Sequence, residues 1–265
     1  MDFVSNNVGP TMEASPTTDS RANPAISTTT GTDRALIVVP TYRESSNITR
    51  LVSEFFAHAG NTHLLVVDDD SPDGTADLVE RLMSNYPNLR LLRRQGERSL
   101  GRAYTDGIRH GLENGFDIVG TMDADLSHNP VYLPQMFSLL KTCDIVIGSR
   151  YVPDGGTVNW SVRRILLSWL ANKFAGILLQ LPAHDLTSGY RLYRRKAVEW
   201  IRTDEVKSTG YSFLAEVLYR AHRGGARIAE YPIIFHDRVF GHSKLHRREI
   251  YLGAFNLLRL RFSLR

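Results

Sequence analysis

Hydrophobic residues occur along this chain in short uninterrupted runs that alternate with longer amphipathic stretches. Runs without polar alternation are typical of strands buried on both faces of a parallel sheet. Strands are predicted at residues 35–39, 63–67, 88–92, 117–122 and 144–148. Helices are predicted between them, at residues 47–58, 75–85, 103–114 and 130–141. This alternation predicts a doubly wound α/β fold, a mostly parallel sheet flanked by helices, whose ligands bind beyond the carboxyl ends of the strands.

The alternation ends after Arg150, and the rest of the chain is less regular. A long apolar stretch at residues 161–181 predicts a helix that ends at Pro182. The remaining pattern predicts further elements, a helix at 211–223, a strand at 227–235 and a C-terminal helix at 249–265. Between them lies a basic, Tyr-rich segment at 190–195, to which the pattern assigns no element.

Two of these helices raise the question of a membrane. The apolar part of the first, residues 165–181, contains Asn172, Lys173 and Gln180, and it is shorter than the ~20 apolar residues that cross a bilayer. Basic residues and Trp169 accompany the apolar ones, which favours helices that lie at the membrane interface, at 161–181 and 249–265. Two helices packed in the protein core remain the alternative.

Composition divides the chain into a tail and a domain. Residues 1–33 are rich in Ser, Thr, Asn, Pro and Gly and have too few apolar residues to form a core, so we expect a disordered tail followed by one domain at 34–265. The single cysteine, Cys143, excludes an intrachain disulfide, and no signal-like basic and apolar segment occurs near the N-terminus. We therefore expect the protein to act in the cytoplasm.

The net charge of +4 suits an anionic partner without selecting one. Nucleic-acid binding is disfavoured, because the chain has no basic stripe interleaved with aromatic residues. Dehydrogenase and P-loop functions are also disfavoured, because neither glycine-rich phosphate motif occurs. Glycines at 101, 107 and 111 fall within a predicted helix, where they indicate close packing rather than phosphate binding.

The strongest local motif is Asp123-Ala124-Asp125, which follows a buried strand. Two carboxylates at a strand end supply hard oxygen ligands for Mg²⁺ or Mn²⁺, and such an ion also binds a diphosphate. A capped solvent loop is the competing interpretation of this triplet.

Two other strands end at the same sheet edge with polar residues. Tyr42 can stack on a base, and Glu44 and Asp69 can accept hydrogen bonds from a ribose or base. The segment 70–74 has the composition of a plain turn that also caps the next helix, and this interpretation is favoured over a binding role.

Seven motifs in order resemble the dolichol-phosphate (polyprenol-phosphate) mannose synthases, inverting glycosyltransferases of family 2 with a GT-A fold. The motifs are PTYRE at 40–44, DDDSPDG at 68–74, MDADLSH at 122–128, GSRY at 148–151, NW at 159–160, LTSGYRLY at 186–193 and DRVFGHSK at 237–244. The resemblance covers residues 35 to about 247, and an ordered set of motifs is more specific than any one of them.

This resemblance implies a donor site for GDP-mannose. The residues that it assigns to the guanosine part are Pro40, Tyr42, Glu44, Val67 and Asp69. It implies that Asp123 and Asp125 hold the metal and that Ala124 contacts the nucleotide. Some relatives have Gln as a further metal ligand where this chain has the shorter Ser127, so a water is expected between Ser127 and the ion. Arg238 and Lys244 are expected to close over the diphosphate.

The resemblance also implies an acceptor site for a dolichyl or polyprenyl phosphate, formed by Arg150, Arg164 and Ser168. Members with transmembrane helices after the catalytic domain differ from this chain, so we expect it to associate peripherally with the cytoplasmic face of a membrane or to use a membrane-anchored partner. The expected catalytic residues are Asp125, Arg150 and Arg164.

The implied reaction is in-line attack of the lipid phosphate on the sugar, which inverts the anomeric carbon. The phosphate is already anionic, so no general base is required. Two alternatives remain open: a family 2 enzyme with a UDP-hexose donor or another acceptor, and a catalytically silent subunit that binds a nucleotide sugar.

Overall fold

The protein is represented by a computed structural model that describes residues 33–96, 98–206, 208, 211–237 and 247–263. The predicted tail, apart from Asp33, lies outside the described residues, as do Arg238 and Lys244.

Strands and helices alternate through the first half of the chain. The strands are β1 Ala35–Thr41, β2 His63–Asp68, β3 Leu89–Arg93, β4 Ile118–Thr121, β5 Ile145–Ser149, β6 Gly156–Val158, β7 Arg191–Arg194, β8 Ile228–Pro232 and β9 Ile234–His236. The helices are α1 Ile48–Ala59, α2 Thr75–Met83, α3 Leu100–Glu113, α4 Leu133–Leu139, α5 Val162–Leu179, α6 Arg195–Ile201, α7 Tyr211–Arg223 and α8 Arg247–Ser263.

In the described part of the chain, seven strands form one sheet in the order β3-β2-β1-β4-β7-β5-β8. All neighbouring pairs are parallel except those of β7, which is antiparallel to both β4 and β5. Because β7 runs in the opposite direction, the segment before it reaches the edge where the parallel strands end. A small parallel pair, β6 and β9, lies beside the main sheet.

Helices cover both faces of the sheet, which explains why strands β1, β2 and β5 are mostly apolar. Along β1, Leu36 and Val38 face the core formed with α3, α5, α6, α7 and α8. Ile37 and Val39 face the opposite core, which is formed with α1, α2 and α4. The α/β fold with a mostly parallel sheet is therefore confirmed.

The glycines of α3 bring this helix against the sheet. A Cβ atom at Gly107 would lie 2.2 Å from a methyl group of Val38, and one at Gly111 would lie 2.7 Å from a methyl group of Val119. Neither position has room for a side chain, so the prediction that these glycines mark close packing is confirmed. The close approach also brings Tyr104, one turn earlier, to the carboxyl edge of the sheet.

Some predicted elements differ from the observed ones. The segment 190–195 contains strand β7 rather than an irregular connection. The strand predicted at 227–235 is divided into β8 and β9, separated by the buried Ile233. The helix predicted at 130–141 begins with a 3-10 turn, Pro130–Tyr132, before α4.

Helix α5 is exposed along most of its length. Of its 18 residues, three are buried in the described structure: Asn172, Ala175 and Leu179. Its exposed apolar side chains are Val162, Ile165, Leu166, Leu167, Trp169, Leu170, Phe174 and Ile177. Helix α5 still contacts the core through Ala175 and Leu179, so its position at a membrane interface stays a prediction. Helix α8 likewise exposes Phe255, Leu258 and Phe262 while burying Leu257 and Leu260.

Neither helix is a candidate to span a bilayer. Within the described residues, no helix combines the length and the apolar character that a membrane crossing requires.

Candidate active site

The acidic pair lies directly beyond the end of β4. The Asp123 carboxylate accepts a hydrogen bond of 2.6 Å from the Tyr104 hydroxyl, and the Asp123 N–H donates to His128 Nδ1 at 3.0 Å. Since Nδ1 accepts this bond, it carries no proton, and the His128 imidazole is neutral. Burial lowers the His128 pKa, which agrees with the neutral form. The side chain of Asp123 is 30% exposed, so its carboxylate can reach a ligand.

Asp125 is held more tightly than Asp123. Leu126 adopts a left-handed backbone, with φ of 63°, which turns the chain back toward the strand. The Ser127 N–H can therefore donate to the Asp125 carboxylate at 3.1 Å, and the Ser127 hydroxyl donates to the same oxygen. Asp125 is 6% exposed and Ser127 is 1% exposed. The water-mediated metal contact of Ser127 stays a prediction, and the structure gives Ser127 a role in orienting Asp125.

The surroundings of the pair fit a divalent cation that is shared with a phosphate ligand. No group of three or more His, Cys, Asp or Glu side chains suited to a metal occurs in the described parts of the chain. Asp123 and Asp125 would thus need ligand and water oxygens to complete the coordination, as is usual for Mg²⁺ with phosphates. Gly189 keeps space open beside them, because a Cβ there would lie 3.3 Å from Asp123 Oδ1.

The ends of β1 and β2 lie next to each other, as predicted, but their carboxylates have different surroundings. Asp68 is buried, and it accepts hydrogen bonds from the hydroxyls of Thr41 at 2.8 Å and Ser71 at 2.7 Å. Asp69 accepts from the Arg94 guanidinium and from the Ser99 N–H, the latter at 3.1 Å. Asp68 thus holds the turn together, whereas Asp69 ties the end of β2 to the start of α3.

Tyr42, which is predicted to stack on a base, lies between two arginines. Its ring contacts two guanidinium groups, with the Arg98 carbon 4.6 Å and the Arg43 carbon 5.4 Å from the ring centroid. Arg98 also donates a hydrogen bond to the Tyr42 hydroxyl. Nearby, Glu44 accepts a hydrogen bond of 2.8 Å from the Asn47 side chain. Of the arginines beside Tyr42 and Asp69, Arg43 lies inside the motif at 40–44, whereas Arg94 and Arg98 lie outside the motifs.

Pro40 and Val67 occupy paired positions on β1 and β2. They lie at the carboxyl ends of these strands, and Ala124, which separates Asp123 from Asp125 in the sequence, is buried. The nucleotide contacts of these residues stay predictions.

The segment 70–74 is a hydrogen-bonded turn, as the favoured interpretation holds. The Asp73 carboxylate accepts bonds from the Thr75 hydroxyl at 2.6 Å, the Thr75 N–H at 3.1 Å and the Ser45 N–H at 3.1 Å. Partial burial by itself raises the Asp73 pKa, but the hydrogen bonds from Thr75 and Ser45 outweigh it and lower the pKa to about 2. This carboxylate links the turn to the loop after β1.

Arg150 lies at the same edge, just after β5, and is almost completely buried. It forms a bidentate ion pair with Asp185, with both nitrogen–oxygen distances 2.7 Å, and donates to the Thr187 hydroxyl at 2.8 Å. Burial opposes the charge of each partner, but their mutual attraction raises the Arg150 pKa and lowers the Asp185 pKa. Among the described residues, Arg150 Nη1 has no hydrogen-bond partner, so two N–H groups remain for a ligand.

Arg164 is connected to Arg150 through an aromatic ring. The guanidinium carbons of Arg164 and Arg150 lie 3.8 Å and 5.2 Å from the centroid of the Trp160 ring. Arg164 also forms an ion pair of 2.9 Å with Asp237. Ser168 follows Arg164 by one helical turn, so both are on the same side of α5.

The acidic pair and Arg150 lie at the same edge of the sheet, and Arg164 is connected to Arg150 through the Trp160 ring. These four residues therefore form one candidate site. The sequence pattern did not indicate roles for Tyr104, Trp160 or Asp185, although Trp160 lies inside one of the motifs that carry the family resemblance and Asp185 directly precedes another. Their roles depend on contacts between distant parts of the chain.

A mostly parallel sheet with an acidic pair and two arginines at its carboxyl edge is the architecture of glycosyltransferases with a GT-A fold. The chain belongs to glycosyl transferase family 2, whose family model matches residues 36–202.

The chain is 40% identical over 212 residues to an undecaprenyl-phosphate mannosyltransferase from Micrococcus luteus, a match of 80% of this chain and 87% of that protein. It is 39% identical over 228 residues to the polyprenol monophosphomannose synthase of Mycolicibacterium smegmatis, a match of 85% of this chain and 86% of that protein. The resemblance to polyprenol-phosphate mannose synthases is therefore confirmed, and the protein is an enzyme.

The fold has close counterparts among solved structures. Glucosyl-3-phosphoglycerate synthase from Mycobacterium tuberculosis, in complex with Mn²⁺, UDP and glucosyl-3-phosphoglycerate, superposes with a TM-score of 0.60 at 16% identity, over 87% of this chain and 79% of that one. S. aureus TarS, in complex with UDP-GlcNAc, gives a TM-score of 0.57 at 17% identity, over 86% and 66% of the two chains.

Proposed function

We propose that the protein transfers mannose from GDP-mannose to a polyprenyl or dolichyl phosphate, with inversion, to give a β-linked polyprenyl-phosphate mannose. The observation that carries this proposal is the placement of a buried arginine, Arg150, between the acidic pair and an exposed apolar helix. The sites for a diphosphate and for a lipid phosphate would then adjoin. The two relatives near 40% identity support a mannosyl donor and a polyprenyl acceptor.

On the donor side, Asp123 and Asp125 would hold Mg²⁺ or Mn²⁺ together with the diphosphate. When bound, the ion would offset the negative charge that develops on the departing nucleotide. The hydrogen bonds from Tyr104 and Ser127 fix the two carboxylates before a ligand arrives, so little reorganisation is needed on binding. The binding of guanosine by Tyr42, Glu44 and Asp69 is part of this proposal.

On the acceptor side, Arg150 would direct its Nη1 group at the lipid phosphate, and Arg164 and Ser168 would contact it from α5. Arginine suits this role because it binds phosphate through parallel hydrogen bonds. A phosphate monoester is ionised near neutral pH, with a second pKa of about 6, so the attack needs no general base. Asp185 supports this role of Arg150, because both of its carboxylate oxygens accept hydrogen bonds from the guanidinium and so orient it.

The exposed apolar side chains of α5 and α8 favour peripheral binding to a membrane, where the lipid acceptor resides. Trp169 and Phe174 on α5 and Phe255 on α8 are each more than 40% exposed. Aromatic and aliphatic side chains of this kind insert into the boundary between headgroups and acyl chains. A membrane-anchored partner that covers the same surface is the other way to bring the enzyme to its acceptor.

The direct test incubates the purified protein with labelled GDP-mannose, Mg²⁺ or Mn²⁺ and a polyprenyl phosphate. We expect an organic-soluble mannosylated product whose β linkage is established by NMR. Controls replace GDP-mannose with UDP-glucose, replace the phosphate with the free polyprenol, or add EDTA, and each should abolish the product. Transfer from UDP-glucose at a comparable rate, or transfer to the free polyprenol, would refute the proposal.

A further inference from the structure

Asn172 is the buried polar residue of the largely exposed helix α5. Its Oδ1 atom accepts hydrogen bonds from the N–H groups of Leu186 at 2.7 Å and Thr187 at 3.2 Å. Its Nδ2 atom donates to the Thr187 hydroxyl at 3.1 Å and to the Ser168 carbonyl at 2.9 Å. These four bonds use the full hydrogen-bonding capacity of the amide.

Asn172 and Arg150 bind the same segment, residues 185–187. The Thr187 hydroxyl accepts from Arg150 Nη2 at 2.8 Å as well as from Asn172, and its own proton points to Asp185 at 3.3 Å. Asp185 holds the rest of the guanidinium through its two carboxylate oxygens. An unbroken series of hydrogen bonds thus runs from α5 to Arg150.

The same amide is attached to the other proposed phosphate contacts. Ser168, whose carbonyl accepts from Asn172, is one turn away from Asn172, and Arg164 is one turn further along α5. Arg150 follows the end of β5, whereas Arg164 and Ser168 belong to α5. Asn172 links the two elements through hydrogen bonds, in addition to the contact that both arginines make with the Trp160 ring.

We propose that Asn172 is a positioning residue that sets the distance between Arg150 and the Arg164–Ser168 turn, so that both grip one acceptor phosphate. This inference rests on the proposed function of these residues. It follows from the chemistry of the amide, because Asp could not donate to Thr187 and Ala would leave the buried Leu186 N–H without its partner.

The experiment compares Asn172→Ala, Thr187→Val and the double variant with the unsubstituted enzyme. Leu179→Ala is the matched control, since Leu179 is buried on the same helix but lies outside the hydrogen-bond series. For each protein, the melting temperature, the Kd of GDP-mannose by calorimetry, and kcat and KM for the polyprenyl phosphate are measured.

We expect each single variant to raise the acceptor KM roughly tenfold, as removal of an outer hydrogen-bond partner commonly does. The Kd of GDP-mannose should change by less than about twofold, and the double variant should resemble the single ones because both residues act on Arg150 through the same series of hydrogen bonds. Leu179→Ala should lower the melting temperature while leaving the acceptor KM nearly unchanged.

A merely structural role gives a different pattern. If Asn172→Ala lowered the melting temperature like Leu179→Ala and left the acceptor KM unchanged, or if the two single effects multiplied in the double variant, the inference would be wrong.

A second readout is independent of catalysis. In ¹⁵N-arginine spectra, the Arg150 Nε–H signal, assigned by Arg150→Lys, should be sharp and slow to exchange because this group is buried against Asp185. Asn172→Ala should accelerate its exchange, whereas Leu179→Ala should not. Lack of transfer by the unsubstituted enzyme would refute the proposed function, while unchanged exchange in Asn172→Ala would refute the positioning role alone.

Discussion

The two ends of the active site are built from contacts of different range. At the donor end, Asp125 binds Ser127 within one turn, although Asp123 binds Tyr104 across 19 positions. At the acceptor end, the contacts join more distant segments, with Arg150 and Asp185 separated by 35 positions and Arg164 and Asp237 by 73. A turn motif can therefore specify part of the donor end by itself, whereas the acceptor end exists only after the whole domain has folded.

The two ends also differ in polarity. The donor end presents carboxylates and suits a hydrated, charged ligand that the metal shares. The acceptor end joins cations to aromatic rings and to the apolar side chains of α5. Because the two ends are proposed to bind different substrates, a substitution at one end should change the binding of one substrate and leave the binding of the other nearly unchanged.

The largest effect is expected for Asp125→Asn at the donor end. Loss of one anionic ligand should lower turnover by at least about 10²-fold, because the ion then stabilises the departing diphosphate less well. Mannosyl transfer at saturating Mg²⁺ and the circular dichroism spectrum are measured together. Asp144→Asn is the control, since Asp144 pairs with Arg227 at the opposite edge of the sheet. Turnover near that of the control would remove Asp125 from the metal site.

A smaller and more selective effect is expected for Arg164→Lys at the acceptor end. An ammonium group cannot reproduce the parallel hydrogen bonds of a guanidinium, so kcat/KM for the lipid phosphate should fall by roughly tenfold. Arg164→Ala should have a larger effect in the same direction. Calorimetry should show little change in GDP-mannose affinity for either variant.

The neighbouring Arg163, which is exposed, provides the control Arg163→Lys. If Arg164→Lys weakened GDP-mannose binding and spared the acceptor KM, the division between the two ends would be incorrect.

The next effect in size is expected for the binding of the apolar surface of α5 to membranes. Ile177→Asp places a charge on a side chain that is 77% exposed, and we expect severalfold weaker sedimentation with anionic vesicles. Met83→Asp is the matched control, because Met83 is an exposed apolar residue on α2. Equal loss in both variants would show that charge, rather than the α5 surface, determines binding.

The smallest effect is expected for Asp73→Asn, in the turn at the donor end. Because hydrogen bonds lower the folded-state pKa of Asp73 from 3.8 to about 2, its carboxylate stabilises the fold above pH ~4, and this contribution is lost as the pH falls toward 2. The variant should melt a few degrees below the unsubstituted protein at pH 7, and the difference should shrink below pH ~4.

Asp70→Asn in the same turn provides the control for this titration, because Asn tolerates the left-handed backbone found at Asp70. A difference between Asp73→Asn and the unsubstituted protein that is constant from pH 7 to pH 3 would contradict the hydrogen-bond assignment.

Sequence patterns located the donor end better than the acceptor end for a physical reason. The runs that became β1, β2, β4 and β5 are apolar because both faces are covered, and their ends determine where Asp69, Asp123 and Arg150 lie. Strand β7 escaped prediction because two of its four residues are arginines, which resemble a surface segment. Arg191 is nevertheless buried, and it donates to the carbonyls of Leu186 and Leu214.

The partners of the proposed acceptor residues could not be inferred from spacing. No pattern links Arg150 with Asp185, or Asn172 with Leu186, until the antiparallel direction of β7 brings its preceding segment to the active edge. In the sequence alone, Asn172 counted only as a polar interruption of an apolar helix. The family resemblance pointed to Arg150, Arg164 and Ser168, but not to the residues that hold them.

The position of β7 also has a consequence for the order in which the chain folds. Strands β1 to β4 pair with one another without any strand that comes later in the chain, so they can assemble while the ribosome is still adding the later residues. Strand β5 pairs with β7 and β8 and has no pairing with β4. It must therefore wait until residues 191–194 have been synthesised, and until then β4 is an open sheet edge. Nascent chains that stall near residue 180 should accordingly bind chaperones, because the sheet is then incomplete. The proposed donor end would thus form before the proposed acceptor end.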